Sequence, residues 1–195
     1  MKFQHFEVGN VVINQYGLDS IHVSTNISPI YYLELIENLT FLVKIVEVRT
    51  HYVMKARQVE ALTSSFREIE KVGYDAGIAF YQELFVKNPE LKELFKGDMS
   101  QQVEKFMSTV KLVVFSFEPN ESGEYLLGAD LTIPLLNLGR KHVEHGVSPA
   151  MYSPVEDALL ATLQKILGDS FTAELKETWS LAYWEVARHM KAELP

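Results

Sequence analysis

A histidine on an otherwise apolar helical face is the residue of this chain whose type and position most directly suggest chemistry. His142 follows Leu135 and Leu138 at spacings of seven and four residues, so all three lie on one side of a helix. An imidazole in such a place needs a partner, either a backbone carbonyl or a metal ion. From these residues alone the carbonyl is the more common partner, and His145, one turn further on, competes as a metal ligand.

The helix that carries His142 belongs to a series of helical patterns that runs from residue 57 to the end of the chain. Within each segment apolar residues recur every three or four positions, as in Leu62, Phe66 and Ile69, which is typical of helices with one buried face. Glycine or proline breaks separate the segments at Gly73, Pro89, Pro119, Gly146 and Gly168. Residues 57–195 are therefore predicted to form an all-α bundle.

Residues 1–56 differ in character and are predicted to form an N-terminal extension. Two β-favouring runs, Asn10–Ile13 and Ile21–Ser24, predict a small hairpin. Ser28–Pro29 then provides a helix start, and apolar residues recur at helical spacing as far as Val46. The β-branched cluster from Val43 to Val53 suits a strand as well, so helix and strand both stay open there.

The string Leu-Leu-Asn-Leu-Gly-Arg-Lys-His-Val-Glu-His-Gly-Val at 135–147 resembles the proximal-helix motif of globins. In that family a histidine in this place binds haem iron through one ring nitrogen. The resemblance implies a globin fold, a three-over-three helical sandwich around haem b. It makes His142 the axial ligand and puts His145 at the haem edge or in solvent. Residues expected to contact the haem nearby are Leu138, Lys141 and Val147.

A second part of the resemblance lies upstream and concerns the opposite side of the haem. The stretch from Ala79 to Phe95 resembles the B helix and C corner of bacterial single-domain globins and neuroglobin-like proteins, and Phe95 matches the phenylalanine that wedges the haem. Tyr81 falls where bacterial globins have a pocket tyrosine, and Gln102 falls at the distal position. Both would donate hydrogen bonds to a bound diatomic gas. The alternative is that Tyr81 is an ordinary packed aromatic residue and Gln102 faces solvent.

The chain also departs from the family pattern. Phe106, one turn after Gln102, stands where many relatives have leucine or valine, and with Lys105 it is expected to line the pocket. Tyr152 aligns with a tyrosine that in flavohaemoglobins joins a C-terminal glutamate, but Glu193 lies one residue from the expected register. The distal and proximal helices are further apart in sequence than in bacterial relatives, so residues 120–128 are predicted to be a surface insertion.

Composition excludes several other classes of protein. The formal net charge of −8 and the scattered basic residues argue against nucleic-acid binding, and the lack of cysteine excludes disulfides and thiolate metal sites. The most apolar stretch, Ile30–Val48, contains four charged residues and is not expected to span a membrane. The N-terminus shows no secretory pattern, so a cytoplasmic location is expected.

The resemblance implies haem and the ligands O2, NO and CO, but it leaves the physiological role open. A gas or redox sensor is the first hypothesis, because residues 1–56 are a large addition of the kind that makes globins dimerise or relays haem state, and the charged C-terminal helix from Arg188 to Pro195 could continue into an output domain. A nitric-oxide dioxygenase that uses a separate reductase is the second, since no flavin domain fits in this length. Simple oxygen binding and transport, or a globin-like bundle without haem, are the remaining alternatives.

The extension is also expected to bury apolar side chains, either against the globin helices or in a homodimer interface, of which the dimer is favoured. The residues concerned are Val11, Val12, Leu35, Leu39, Leu42 and Val46.

Overall fold

Our computed structural model of the chain describes residues 5–8, 11–15, 21–23 and 53–191. The chain divides into two compact units, residues 1–48 and 49–195. In the first unit three short strands form an antiparallel sheet in sequence order: β1 (His5–Val8), β2 (Val11–Gln15) and β3 (Ile21–Val23). β2 and β3 overlap the two runs that were predicted to form a hairpin, and Asn14 of β2 lies opposite His22 of β3. The helix predicted from Ser28 to Val46 lies outside the described residues.

Within residues 53–191 the second unit has six α-helices, so the all-α prediction is confirmed. They are α1 (Ala56–Val72), α2 (Tyr74–Lys87), α3 (Met99–Val114), α4 (Thr132–Glu144), α5 (Tyr152–Leu167) and α6 (Ala173–Lys191). Short 3₁₀ turns at Pro89–Leu94, Ala129–Leu131, Pro149–Met151 and Gly168–Ser170 join them. None of the helices in this described part of the chain is long and apolar enough to cross a bilayer.

The helices form where the sequence pattern placed them, because each has one apolar face and a defined start. Leu62, Phe66 and Ile69 of α1 are buried in the main core, as their spacing predicts. Asp98 begins α3 by accepting a hydrogen bond from the Ser100 N–H at 2.8 Å, which satisfies a free amide of the first turn. Pro134 occupies the first turn of α4, where its missing N–H removes no helical bond.

Close packing of α4 on α6 fixes the helix that carries His142. An added Cβ atom at Gly139 would overlap the backbone carbonyl of Met190, so only glycine permits this approach of the two helices. Leu135 on α4 and Trp179 on α6 are buried in the same core cluster. Helix α4 is therefore held from behind by α6, the last helix among the described residues.

The predicted surface insertion is a β-hairpin. β4 (Phe117–Pro119) pairs with β5 (Tyr125–Leu127) in antiparallel register. The turn between them is exposed and polar, and the Asn120 side chain accepts hydrogen bonds from the N–H groups of Ser122 and Glu124 at 3.0 and 2.9 Å. The base of the hairpin is buried, because Phe117 and Leu127 join the main core.

Met54 connects the start of the second unit to this hairpin. Its N–H donates to the Tyr125 carbonyl at 3.0 Å, and the Tyr125 N–H donates back at 2.7 Å, which is a short antiparallel pairing. The Met54 side chain has 0% exposure and packs in the main core. A residue that precedes the predicted domain start at 57 is thus part of the helical core.

Candidate functional site

His142 is half-buried on the last turn of α4, and its local bonding defines which nitrogen is free. The Nδ1 atom lies 2.8 Å from the Leu138 carbonyl oxygen, and since a carbonyl only accepts, Nδ1 carries the proton and donates. Burial is the main cause that lowers the pKa of His142. The hydrogen bond to Leu138 acts in the opposite direction, and the nearby His145 lowers the pKa slightly further, so the net shift is downward. The imidazole is therefore neutral near pH 7, and its Nε2 lone pair is available to a metal.

His145 makes the same kind of local bond but differs in its surroundings. Its Nδ1 donates to the Lys141 carbonyl at 2.6 Å, one turn back along the chain. The residue is exposed and follows the end of α4, whereas His142 is half-buried beside the core. Burial, and not local hydrogen bonding, therefore separates the two histidines as candidate ligands.

Tyr81 and Gln102 come together, as the sequence predicts, from helices α2 and α3. The Gln102 Nε2 group donates to the Tyr81 hydroxyl oxygen at 3.3 Å. Burial raises the pKa of Tyr81, although the hydrogen bond from Gln102 acts in the opposite direction, so the phenol stays protonated at neutral pH. Because Gln102 occupies the oxygen as a donor, the Tyr81 proton is left to donate to a further acceptor.

Aromatic rings surround Tyr81. The Phe95 ring centroid lies 5.4 Å from that of Tyr81 and the Phe106 centroid lies 5.7 Å away, both edge-to-face. Tyr81 itself is 5% exposed. The hydrogen bond that its hydroxyl accepts from Gln102 therefore lies beside apolar side chains, where hydrogen bonds are stronger than in water.

Tyr152 begins α5 and is buried in the main core. Its backbone carbonyl accepts a hydrogen bond from the Tyr183 hydroxyl at 2.6 Å, and its ring lies 5.3 Å from the Lys191 Nζ atom. The glutamate considered as its partner, Glu193, lies outside the described residues. A lysine cation therefore faces the Tyr152 ring, and the same Nζ atom also lies 4.5 Å from the Trp184 ring.

The other predicted site residues divide by exposure. Lys105 and Lys141 are exposed, while Leu138 and Val147 are half-buried and pack on the main core that contains Tyr152. The predicted residues thus form two groups, one around Tyr81 on α2 and α3 and one around His142 on α4. Helices α3 and α4 are not packed against each other along their lengths.

Sequence reasoning missed two aromatic members of the first group, Phe80 and Phe85. Phe80 stacks on Phe106 with centroids 4.1 Å apart and an interplanar angle of 9°, and Phe85 lies 5.3 Å from Phe95. Both lie on α2 beside Tyr81, in the run from Ala79 to Phe85. The aromatic richness of that run was visible, but the ring orientations were not, because they depend on α3.

Comparison with known proteins connects this geometry to one family. The family model for globins matches residues 78–190. A flavohaemoprotein of Rhizobium meliloti (strain 1021) is 30% identical over 115 residues, which cover 59% of this chain and 27% of the relative. A neuroglobin of Tetraodon nigroviridis is 28% identical over 151 residues, covering 70% of this chain and 90% of the relative. The chain therefore spans about a quarter of the flavohaemoprotein's length.

Solved structures with the same arrangement of helices extend the comparison to the fold. A flavohaemoglobin from Malassezia yamatoensis, with bound FAD and haem, aligns with a TM-score of 0.55 and 18% identity over 71% of this chain and 36% of its own. A hexacoordinated haem protein from an anhydrobiotic tardigrade aligns with a TM-score of 0.58 and 19% identity, over 72% and 95%. At these identities the likeness concerns the fold alone.

Proposed function

Because the chain belongs to the globin family, we propose that its helical unit binds haem b through His142 and there binds O2, NO and CO reversibly. The observation that carries the proposal is the state of His142. It is a neutral, half-buried imidazole whose Nδ1 proton is used by Leu138 and whose Nε2 lone pair is free. This is the form in which histidine binds a metal.

The residues present suit a haem between α3 and α4. These helices carry Gln102 and His142 and do not pack along each other, so a flat apolar group between them would not have to break a helix–helix interface. Phe95 offers an aromatic edge on one side, and the exposed Lys105 and Lys141 are cations available to the two haem carboxylates. When bound, the haem supplies the iron to which a gas ligand attaches.

Tyr81 and Gln102 are proposed to hold the gas ligand by hydrogen bonding. Gln102 donates to the Tyr81 oxygen, which orients the phenol and leaves its O–H as the donor toward the ligand. Such a bond strengthens the retention of a ligand with negative outer charge, such as O2, more than that of CO. Slow O2 dissociation is the expected consequence.

For the physiological role we propose gas or redox sensing by a homodimer. The N-terminal unit of residues 1–48 precedes the part of the chain that matches the globin family. Further along the chain, Met54 lies in the helical core, and its backbone pairs with Tyr125 of the β4–β5 hairpin. Helix α4 begins a few residues after this hairpin, at Thr132. A change at His142 therefore has a short physical route, through α4 and the hairpin, to Met54 near the start of the helical unit.

The haem-binding proposal is tested by titrating haemin into the purified full-length protein and into two single variants. We expect 1:1 binding with an axial-imidazole spectrum for the wild-type protein and for His145→Ala, and loss of that spectrum in His142→Ala. Equal damage from both variants, or damage from His145→Ala alone, would contradict the assignment of His142.

Sensing is tested by amide hydrogen exchange of the ferrous protein with and without CO. A sensor is expected to change its exchange in α4 and also in residues 1–52 when CO binds. A change confined to α4 would leave a gas-binding protein without a sensing role, in keeping with simple oxygen binding and transport.

A nitric-oxide dioxygenase is the second candidate, and the Tyr81–Gln102 pair is the observation that favours it. This chemistry requires electrons to be returned to the iron, so a separate reductase would be the partner. Catalytic consumption of NO under air with an added flavin reductase, several turnovers per haem, would support it. A single stoichiometric turnover would count against it.

A further inference from the structure

Phe80 is buried behind Tyr81 and makes the closest ring contact of the aromatic group. Its ring is parallel to that of Phe106, with centroids 4.1 Å apart, and it meets Tyr81 edge-on at 4.9 Å and 70°. Only 3% of Phe80 is exposed, in the cluster that also contains Tyr81, Leu84 and Val103. Phe80 thus contacts both Tyr81 and Phe106, the two residues proposed to face the ligand, from within the core.

The contacts of Phe80 restrict how Tyr81 can turn. Phe106 also meets Tyr81 edge-on, at 5.7 Å and 64°, so the stacked pair places two ring surfaces against one side of the phenol. Edge-to-face contacts of this kind favour a narrow range of ring orientations. The hydroxyl of a tyrosine lies in its ring plane, so whatever fixes the ring also fixes the direction in which the proton can be donated.

The stack also faces a small void. A cavity of about 20 Å³ is lined by Phe80 and Phe106 together with residues of α1, α5 and α6, among them Phe66, Leu163 and Trp179. If the Phe80 ring were lost, Phe106 could tilt into the enlarged space, since side chains next to a new cavity relax toward it. Tyr81 would then lose the support of both rings at once.

We propose that Phe80 is a positioning residue for the gas ligand: its stack with Phe106 holds the Tyr81 hydroxyl in one orientation and thereby sets the preference for O2 over CO. The inference rests on the proposed gas-binding function. Phe80 does not touch the ligand, and its whole effect on O2 passes through the Tyr81 hydroxyl. This differs from a residue that merely sets pocket volume, whose effect would persist without that hydroxyl.

The test is a double-mutant cycle on the haem-loaded, full-length protein, with the O2 dissociation rate as readout. Phe80→Leu in the wild-type background is expected to speed O2 dissociation by about threefold or more, while Phe80→Leu added to Tyr81→Phe changes it by less than about 1.5-fold. Phe80→Tyr keeps the stacked ring and is expected to retain the wild-type rate. Phe85→Leu is the matched control, since it removes a ring beside Tyr81 but leaves the Phe80–Phe106 stack in place.

The infrared C–O stretch of the CO complex gives an independent readout. The wild-type protein is expected to have one dominant band, and Phe80→Leu a second band from molecules in which the phenol has turned away. Equal effects of Phe80→Leu in both backgrounds, or equal effects of Phe80→Leu and Phe85→Leu, would overturn the proposal. If Phe80→Leu does not retain haem, Phe80→Met replaces it, and the O2 dissociation rates in the wild-type and Tyr81→Phe backgrounds are compared in the same way. Wild-type protein that binds no haem would instead refute the proposed function.

Discussion

The hydrogen bond from Gln102 to Tyr81 predicts that Gln102 affects O2 dissociation through the Tyr81 hydroxyl and not independently of it. Tyr81→Phe keeps the ring and removes the hydroxyl that is proposed to donate to the ligand. A hydrogen bond to a charged group contributes about 1.5 to 3 kcal/mol, and each 1.4 kcal/mol is a factor of ten. We therefore expect O2 to dissociate about tenfold to a hundredfold faster, whereas CO dissociation changes by less than about threefold because CO carries little negative charge.

Gln102→Leu removes the 3.3 Å hydrogen bond from Gln102 Nε2 to the phenol oxygen. This bond joins two neutral groups and is therefore weaker than the proposed bond from the phenol to O2. A neutral hydrogen bond contributes about 0.5 to 1.5 kcal/mol, so the O2 dissociation rate should rise by about twofold to tenfold. Since Gln102 acts through the phenol, the double variant should dissociate O2 no faster than Tyr81→Phe alone, within about twofold.

Stopped-flow displacement of O2 by CO measures all four proteins under one condition. Multiplicative effects of the two substitutions would mean that Gln102 donates to the ligand directly, and the proposed action through the Tyr81 hydroxyl would be wrong. An unchanged rate in Tyr81→Phe would be more serious, because the hydroxyl would then point away from the ligand.

Three further predictions concern the architecture. Met54→Ala should lower the free energy of unfolding by about 2 to 5 kcal/mol in urea titrations, the cost of truncating a fully buried methionine, while Leu126→Ala on the exposed face of the hairpin changes it little. Glu185 is buried; burial raises its pKa, but hydrogen bonds from His189 and Arg188 outweigh this and the net shift is downward. Stability from Glu185 is therefore present above about pH 4.5 and lost as pH falls through its lowered folded-state pKa, so Glu185→Gln should destabilise by about 2 kcal/mol at pH 7 and by progressively less as the pH falls below about 4.5. Removal of residues 1–52 should give a haem-binding monomer by sedimentation, and a wild-type protein that already sediments as a monomer would exclude the dimer.

Much of the helical fold could be predicted because helix periodicity is a local property of the sequence. The stripe of Leu62, Phe66 and Ile69 requires no knowledge of distant residues, and neither does the Asp98 cap. The proximity of Tyr81 and Gln102 was predictable for another reason. It followed from the family resemblance, which supplies the packing of α2 on α3 that periodicity alone does not give.

The parts that escaped prediction depend on contacts between segments distant in sequence. Met54 ends a short apolar run before Lys55 that has no helical periodicity, and its place in the core depends on backbone pairing with the distant Tyr125. Strands β4 and β5 are three residues each, too short for alternation to be detected within a polar stretch. The parallel stack of Phe80 on Phe106 joins two helices, and the sequence of either helix alone does not specify ring orientation.

The absorption spectrum of the purified full-length protein tests the central claim most directly. It is recorded on the reduced protein under nitrogen, then under air or CO, and again after the gas is removed. We predict a haem spectrum in the first state, a shift of the main haem band with each gas, and return to the starting spectrum on removal. A protein that acquires no haem absorption on reconstitution, or whose haem spectrum does not respond to O2 or CO, would contradict the account.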